Sequence, residues 1–123
     1  MNKLSDKKIL IVDDEVDLCR ILRWDFEDVG AKVIVAHGAY EAINLINEHD
    51  IDIIVSDIKM PQGDGVELLD YVKKAKKDYD AFIFMSGYSD YPKDDLLAKG
   101  AFIVIDKPIN FESLKNKLEK LLA

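Results

Sequence analysis

The chain has 123 residues and a single cysteine, Cys19, so no internal disulfide can form and one core must come from packing alone. A formal net charge of −7 argues against a nucleic-acid groove as the main working surface, because phosphate contacts need clustered Lys and Arg. The first apolar run, residues 9–12, is too short for a signal peptide or a membrane span, so the expectation is one cytoplasmic domain over residues 1–123 without membrane insertion.

Residues 8–12 read as a strand that stops at the acidic pair Asp13-Asp14. Leu18, Ile21, Leu22, Phe26 and Val29 then recur at helical spacing until Gly30 ends the helix. Residues 32–36 form a second strand, and a helix over 39–48 turns Ala42, Ile43, Leu45 and Ile46 inward. Residues 51–55 are short, β-branched and almost wholly apolar, as in a strand covered on both faces. That strand runs out at Asp57, and Met60-Pro61 and Asp64-Gly65 follow in the turn. The next helix buries Val66, Leu68, Leu69 and Val72 and ends in the solvated lysine run 73–77. Residues 81–85 are a fourth strand closed by Ser86-Gly87, and a short helix near 92–99 leads through Gly100 to a fifth strand over 101–105, which ends at Asp106-Lys107-Pro108. Asn110 caps a last helix with Phe111, Leu114, Leu118 and Leu121 inward.

Five strand–helix units in succession imply a parallel sheet with right-handed crossovers and helices on both faces. In such a sheet the loops leaving the carboxyl ends of the strands form the ligand crevice. Asp13, Asp14, Asp57, Ser86 and Lys107 all fall at those ends. Each has a bland reading alone: Asp57 and Ser86 as turn residues, Asp13-Asp14 as a helix cap, although a cap needs only one Asp. Together they gather carboxylates that repel one another unless a cation sits between them. Mg²⁺ suits this, since it takes oxygen ligands and commonly binds through one or two carboxylates and a phosphoryl oxygen. With Lys107 and the Ser86 hydroxyl to neutralise and donate to phosphoryl oxygens, Asp57 becomes a nucleophilic acceptor of a phosphoryl group.

Over essentially its whole length the sequence resembles a response-regulator receiver domain of two-component or phosphorelay signalling. Asp13 and Asp14 match the family's acidic metal pair, Asp57 its phosphoacceptor, Ser86 its switch Thr/Ser, and Lys107-Pro108 its Lys-Pro pair. Met60-Pro61, Asp64-Gly65 and Gly100-Ala101 match the flanking loops. The resemblance implies a (βα)5 flavodoxin-like fold, strand order 2-1-3-4-5, a cis Lys107-Pro108 peptide and a metal ligand from the Lys59 backbone carbonyl. It further implies a donor that is a histidine kinase or histidine phosphotransfer protein, and a switch that is not itself a turnover enzyme. The exposed side of the first helix docks the kinase in receivers, which makes Trp24 and Asp17 candidates for partner contact.

One family position departs from pattern: the aromatic residue three before the lysine is Val104 here. A short β-branched side chain has neither the reach nor the second rotamer of an aromatic switch. Phe102 is read as lying on the same face of the strand, too far back to substitute. Output is therefore expected through Ser86, Gly87, Tyr88, Tyr91 and the start of the fourth helix, toward a separate effector protein. Lys59 and Tyr88 are expected to shield the acyl phosphate and slow its hydrolysis, since an ammonium cannot accept a hydrogen bond from attacking water. Two rivals remain open. A metal-dependent aspartyl phosphohydrolase would normally carry an acid/base carboxylate two residues after the nucleophile, where this chain has Lys59. A pseudo-receiver that binds partners unphosphorylated would not need the intact constellation.

Overall fold

The computed structural model describes residues 3–87 and 91–123, so Tyr88 lies outside the described residues. Five strands, β1 (Lys8–Val12), β2 (Lys32–Ala36), β3 (Ile53–Asp57), β4 (Ala81–Ser86) and β5 (Ile103–Asp106), form a parallel sheet in the order β2-β1-β3-β4-β5. Five helices alternate with them: α1 (Val16–Asp28), α2 (Ala39–Glu48), α3 (Gly65–Lys74), α4 (Lys93–Lys99) and α5 (Phe111–Leu122). The Lys107-Pro108 peptide that follows β5 is cis.

The two-residue period of a strand divides the apolar residues between two cores. Ile9, Ile11, Ile53, Val55, Ile83 and Met85 pack with Cys19, Leu22 and Phe26 of α1 and Leu114 and Leu118 of α5. Phe26 meets Phe111 edge-on, with ring centroids 4.9 Å apart, and so ties α1 to α5. Leu10, Val12, Ile54, Phe82 and Phe84 point the other way, onto Ala42 and Ile46 of α2, Leu68, Leu69 and Val72 of α3 and Leu96 of α4. Both faces are thus covered, which is why the central strands carry apolar residues at successive positions.

Several details differ from the sequence-based expectation, beginning with β3, which runs over Ile53–Asp57 and not over 51–55. Ile21 is 59% exposed, and the inner stripe of α1 is Cys19, Leu22 and Phe26. Ile21 directly precedes Leu22 and so points about 100° away from that stripe. Leu121 is also exposed, and Leu122 packs inward in its place. The fifth strand starts at Ile103, and a bend at Phe102 breaks the alternation. Phe102 consequently packs with the α1/α5 core while Val104 packs with the α2/α3/α4 core, so the two do not share a face.

Helix starts fix the loops around the carboxyl edge of the sheet. Asn110 caps α5 by accepting from the Ser113 N–H at 3.0 Å, and Asp64 caps α3 by accepting from the Glu67 N–H at 2.8 Å. Gly65, the first residue of α3, passes so close to β3 that a Cβ there would collide with the Asp57 carbonyl oxygen and come within 2.9 Å of Ser56 Oγ. Only glycine fits between the helix start and the end of the strand. Its N–H donates to the Ile58 carbonyl at 2.7 Å, closing the loop after Asp57 into a compact turn.

Candidate functional site

Register places the site. Val12 pairs with Ser56, Asp57 with Met85, and Ser86 with Asp106, so β1, β3, β4 and β5 finish nearly level. Asp13, Asp57 and Lys107 each continue the odd-numbered series of their strands and leave the sheet edge on one side. Ser86 continues the even-numbered series of β4 and is half-buried, with its carbonyl accepting from the Lys107 N–H at 2.9 Å.

The side chains meet as that placement requires. Lys107 Nζ stands 2.9 Å from Asp13 Oδ2 and 3.4 Å from Asp57 Oδ2. Carboxylate oxygens of Asp13, Asp14 and Asp57 lie within 4.8 Å of one another, with Asp13 buried, Asp57 half-buried and Asp14 exposed. Asp57 Oδ1 accepts from the Ile58 N–H at 2.8 Å, and Asp13 Oδ1 accepts from the Glu15 N–H at 2.9 Å. Both carboxylates are therefore oriented through one oxygen by backbone. The Lys59 side chain is exposed, two residues beyond Asp57.

Burial pushes both the Asp57 and the Asp13 carboxyls above the ordinary carboxylate value, and for Asp57 the neighbouring Asp13 charge adds to it. Lys107 opposes the rise at both. Burial would lower the Lys107 ammonium itself, but its contacts with Glu15, Asp13 and Asp57 outweigh that and raise it. Asp13 Oδ2 is buried and has no hydrogen bond among the described residues; its close partner there is the Lys107 ammonium at 2.9 Å. A buried carboxylate oxygen whose close partner is an ammonium shared with Glu15 and Asp57, beside two further carboxylates, fits a hard divalent cation better than it fits a self-sufficient ion-pair network. α1 begins at Val16, and its N-cap Glu15 makes no side-chain cap hydrogen bond, so the acidic pair lies upstream of the cap position.

Trp24 is 74% exposed on α1, joined there by the exposed Val16 and Ile21, and Asp17 reaches Arg20 at 3.8 Å. Neither Trp24 nor Asp17 belongs to the carboxylate cluster. Gly87 is exposed, Tyr91 lies at the surface before α4, and Val104 is half-buried opposite Phe84. Sequence reasoning missed two neighbours. Glu15 Oε1 accepts from Lys107 Nζ at 2.9 Å, and the His37 Nδ1 lies 3.1 Å from the Asp13 carbonyl oxygen. The signal for Glu15 was its place directly after the acidic pair.

Comparison with known proteins agrees with this geometry. Residues 9–119 match the family described as "Response regulator receiver domain". The transcriptional regulatory protein ZraR of Salmonella typhimurium is 30% identical over 115 residues, covering 94% of this chain and 26% of the relative. This chain thus spans about a quarter of the length of that relative. Among solved structures, the receiver domain of a Francisella response regulator superposes with a TM-score of 0.85 at 30% identity, covering 95% of this chain and 97% of that one. The Thermotoga maritima response regulator TrrA, in complex with Mg²⁺-BeF, superposes with a TM-score of 0.82 at 33% identity, covering 94% and 98%.

Proposed function

Because this chain belongs to the response-regulator receiver family of two-component signalling, we propose that it is a phosphorylation-dependent switch whose acceptor is Asp57. The observation that carries the proposal is the convergence of Asp13, Asp14, Asp57 and Lys107 at one sheet edge, with a buried Asp13 oxygen that has no hydrogen bond among the described residues. In the transfer, an Asp57 carboxylate oxygen forms a bond to phosphorus while the bond from phosphorus to the donor breaks, and the donor leaves with that electron pair. Ile58 N–H fixes the carboxylate by holding its other oxygen. Lys107, already 3.4 Å from Asp57, neutralises the phosphoryl oxygens, and the Ser86 hydroxyl donates to another of them.

Asp13, Asp14, Asp57 and the Lys59 carbonyl would hold Mg²⁺, which supplies positive charge against the phosphoryl oxygens. The Mg²⁺-BeF complex of TrrA supports that assignment. The donor is a histidine kinase or histidine phosphotransfer protein docking on the exposed side of α1 around Asp17 and Trp24, and the output is a protein–protein contact. Lys59 slows hydrolysis of the acyl phosphate, and a turnover phosphohydrolase is disfavoured because an exposed lysine stands where its acid/base carboxylate belongs. No described helix is long and apolar enough to cross a membrane.

Incubation with Mg²⁺ and acetyl phosphate, followed by intact mass, tests the proposal. One labile phosphoryl group per chain is expected, lost on adding EDTA beforehand and absent from Asp57→Asn. Equal labelling of that variant would overturn it.

A further inference from the structure

We infer that Glu15 is a positioning residue for Lys107, holding its ammonium in an ion pair that opens when the phosphoryl group arrives. The inference rests on the reading of Asp57 as acceptor. Lys107 Nζ donates to Glu15 Oε1 at 2.9 Å, as near as its contact with Asp13 and nearer than the 3.4 Å to Asp57. An ammonium has three donors and no acceptor, and of the three carboxylates around this one only Glu15 receives an aligned hydrogen bond among the described residues, Asp13 and Asp57 being paired with it by charge and distance. A new phosphoryl group on Asp57 brings its oxygens to that side of the ammonium, and drawing it from 3.4 Å onto them pulls it away from its two nearer partners at 2.9 Å.

The structure singles out which partner yields. Asp13 is fully buried, with its other oxygen committed to the Glu15 N–H, and Asp57 is the residue that receives the group. The Glu15 side chain is 62% exposed while that of Lys107 is 16% exposed, so Glu15 reaches inward from the solvent side. Released, its carboxylate returns to water. Its backbone stays in place, because its N–H is held by Asp13 and α1 starts at the next residue. The contact joins residues 92 positions apart, the start of α1 and the loop after β5, and its opening links the chemistry at Asp57 to the entrance of the site.

The test compares the wild-type chain with Glu15→Gln, which keeps the shape and loses the charge, and Glu15→Asp, which keeps the charge and loses the reach. With saturating Mg²⁺ and acetyl phosphate, the phosphorus–acetate bond breaks, acetate leaves with its electron pair and Asp57 takes the group. Initial rates are read by intact mass, and proton exchange of the Lys107 ammonium is read by NMR without donor. Both variants should label faster than wild type, by up to about fivefold on the scale of a half-exposed ion pair, and both should show faster ammonium exchange. Wild-type rates in both variants, or slower ones, would overturn the inference. Acceleration in Glu15→Gln alone would also overturn it, by reducing the effect to repulsion of an anionic donor. A wild-type chain that takes no group on Asp57 would instead overturn the acceptor reading beneath it.

Discussion

Asp57 is held in a position that works against its own ionisation. Burial and the adjacent Asp13 raise its pKa above the ordinary 3.8, so the folded chain binds that proton more tightly than the unfolded chain does. The sign follows: stability falls as pH rises from the unfolded value through the folded one. Asp57→Asn removes the charge that causes the loss, so without metal it should raise the melting temperature at pH 7 by about 4 °C, the shift that roughly 1 kcal/mol produces in a domain of this size. Below pH 3.8 both carboxyls are largely neutral and the gain should vanish; a gain of the same size at every pH would contradict an electrostatic origin. Lys107 poses the converse case. Its ammonium lies 2.9 Å from Asp13 Oδ2, on an oxygen that a cation would take. Lys107→Ala should therefore slow phosphorylation at least tenfold, the loss of more than about 1.4 kcal/mol of transition-state stabilisation. Mg²⁺ affinity by calorimetry should be unchanged or higher, and a large drop in affinity would mean that Lys107 helps build the cation site instead of competing for it.

At the scale of elements, the start of α3 matters as much as the strand that carries Asp57. Gly65 touches the Asp57 carbonyl and lies beside Ser56, whose hydroxyl donates to that same carbonyl at 2.7 Å. Gly65→Ala should cost about 2 kcal/mol in denaturant unfolding, as overpacking does, and should also impair phosphorylation, because the strand end must shift to admit a methyl group. Unchanged stability would show that the loop can absorb it. The strands and their polar ends were legible in the sequence because apolar runs stop abruptly at Asp13, Asp57, Ser86 and Asp106, and parallel pairing then brings those ends level. What was not legible depends on contacts or on exact phase. Glu15 meets Lys107, a residue 92 positions away. Cys19 belongs to the α1 stripe although Ile21 is the more apolar candidate, because phase and not hydropathy decides which face is covered. Phe102 and Val104 would share a face only if the strand were regular through both, and it begins at Ile103.

Across the whole molecule, two cores cover the two faces of one sheet and leave its carboxyl edge to polar side chains, so a charge placed on Asp57 would be felt first by the loops at that edge. Val104 is half-buried against the α2/α3/α4 core and is too short to act as an aromatic switch. Phosphorylation should accordingly change amide exchange more over 91–97 than along β5. A change centred on Ile103–Asp106 and abolished by Val104→Ala would contradict that route. The claim on which all of this depends is that Asp57 takes the phosphoryl group with the help of a cation. Reducing the Mg²⁺- and acetyl-phosphate-treated chain with borohydride converts an aspartyl phosphate to homoserine, and peptide mapping then locates it. The account predicts homoserine at position 57 alone, and only when Mg²⁺ is present; homoserine at Asp13, Asp14 or elsewhere, or at Asp57 without any divalent cation, would contradict it.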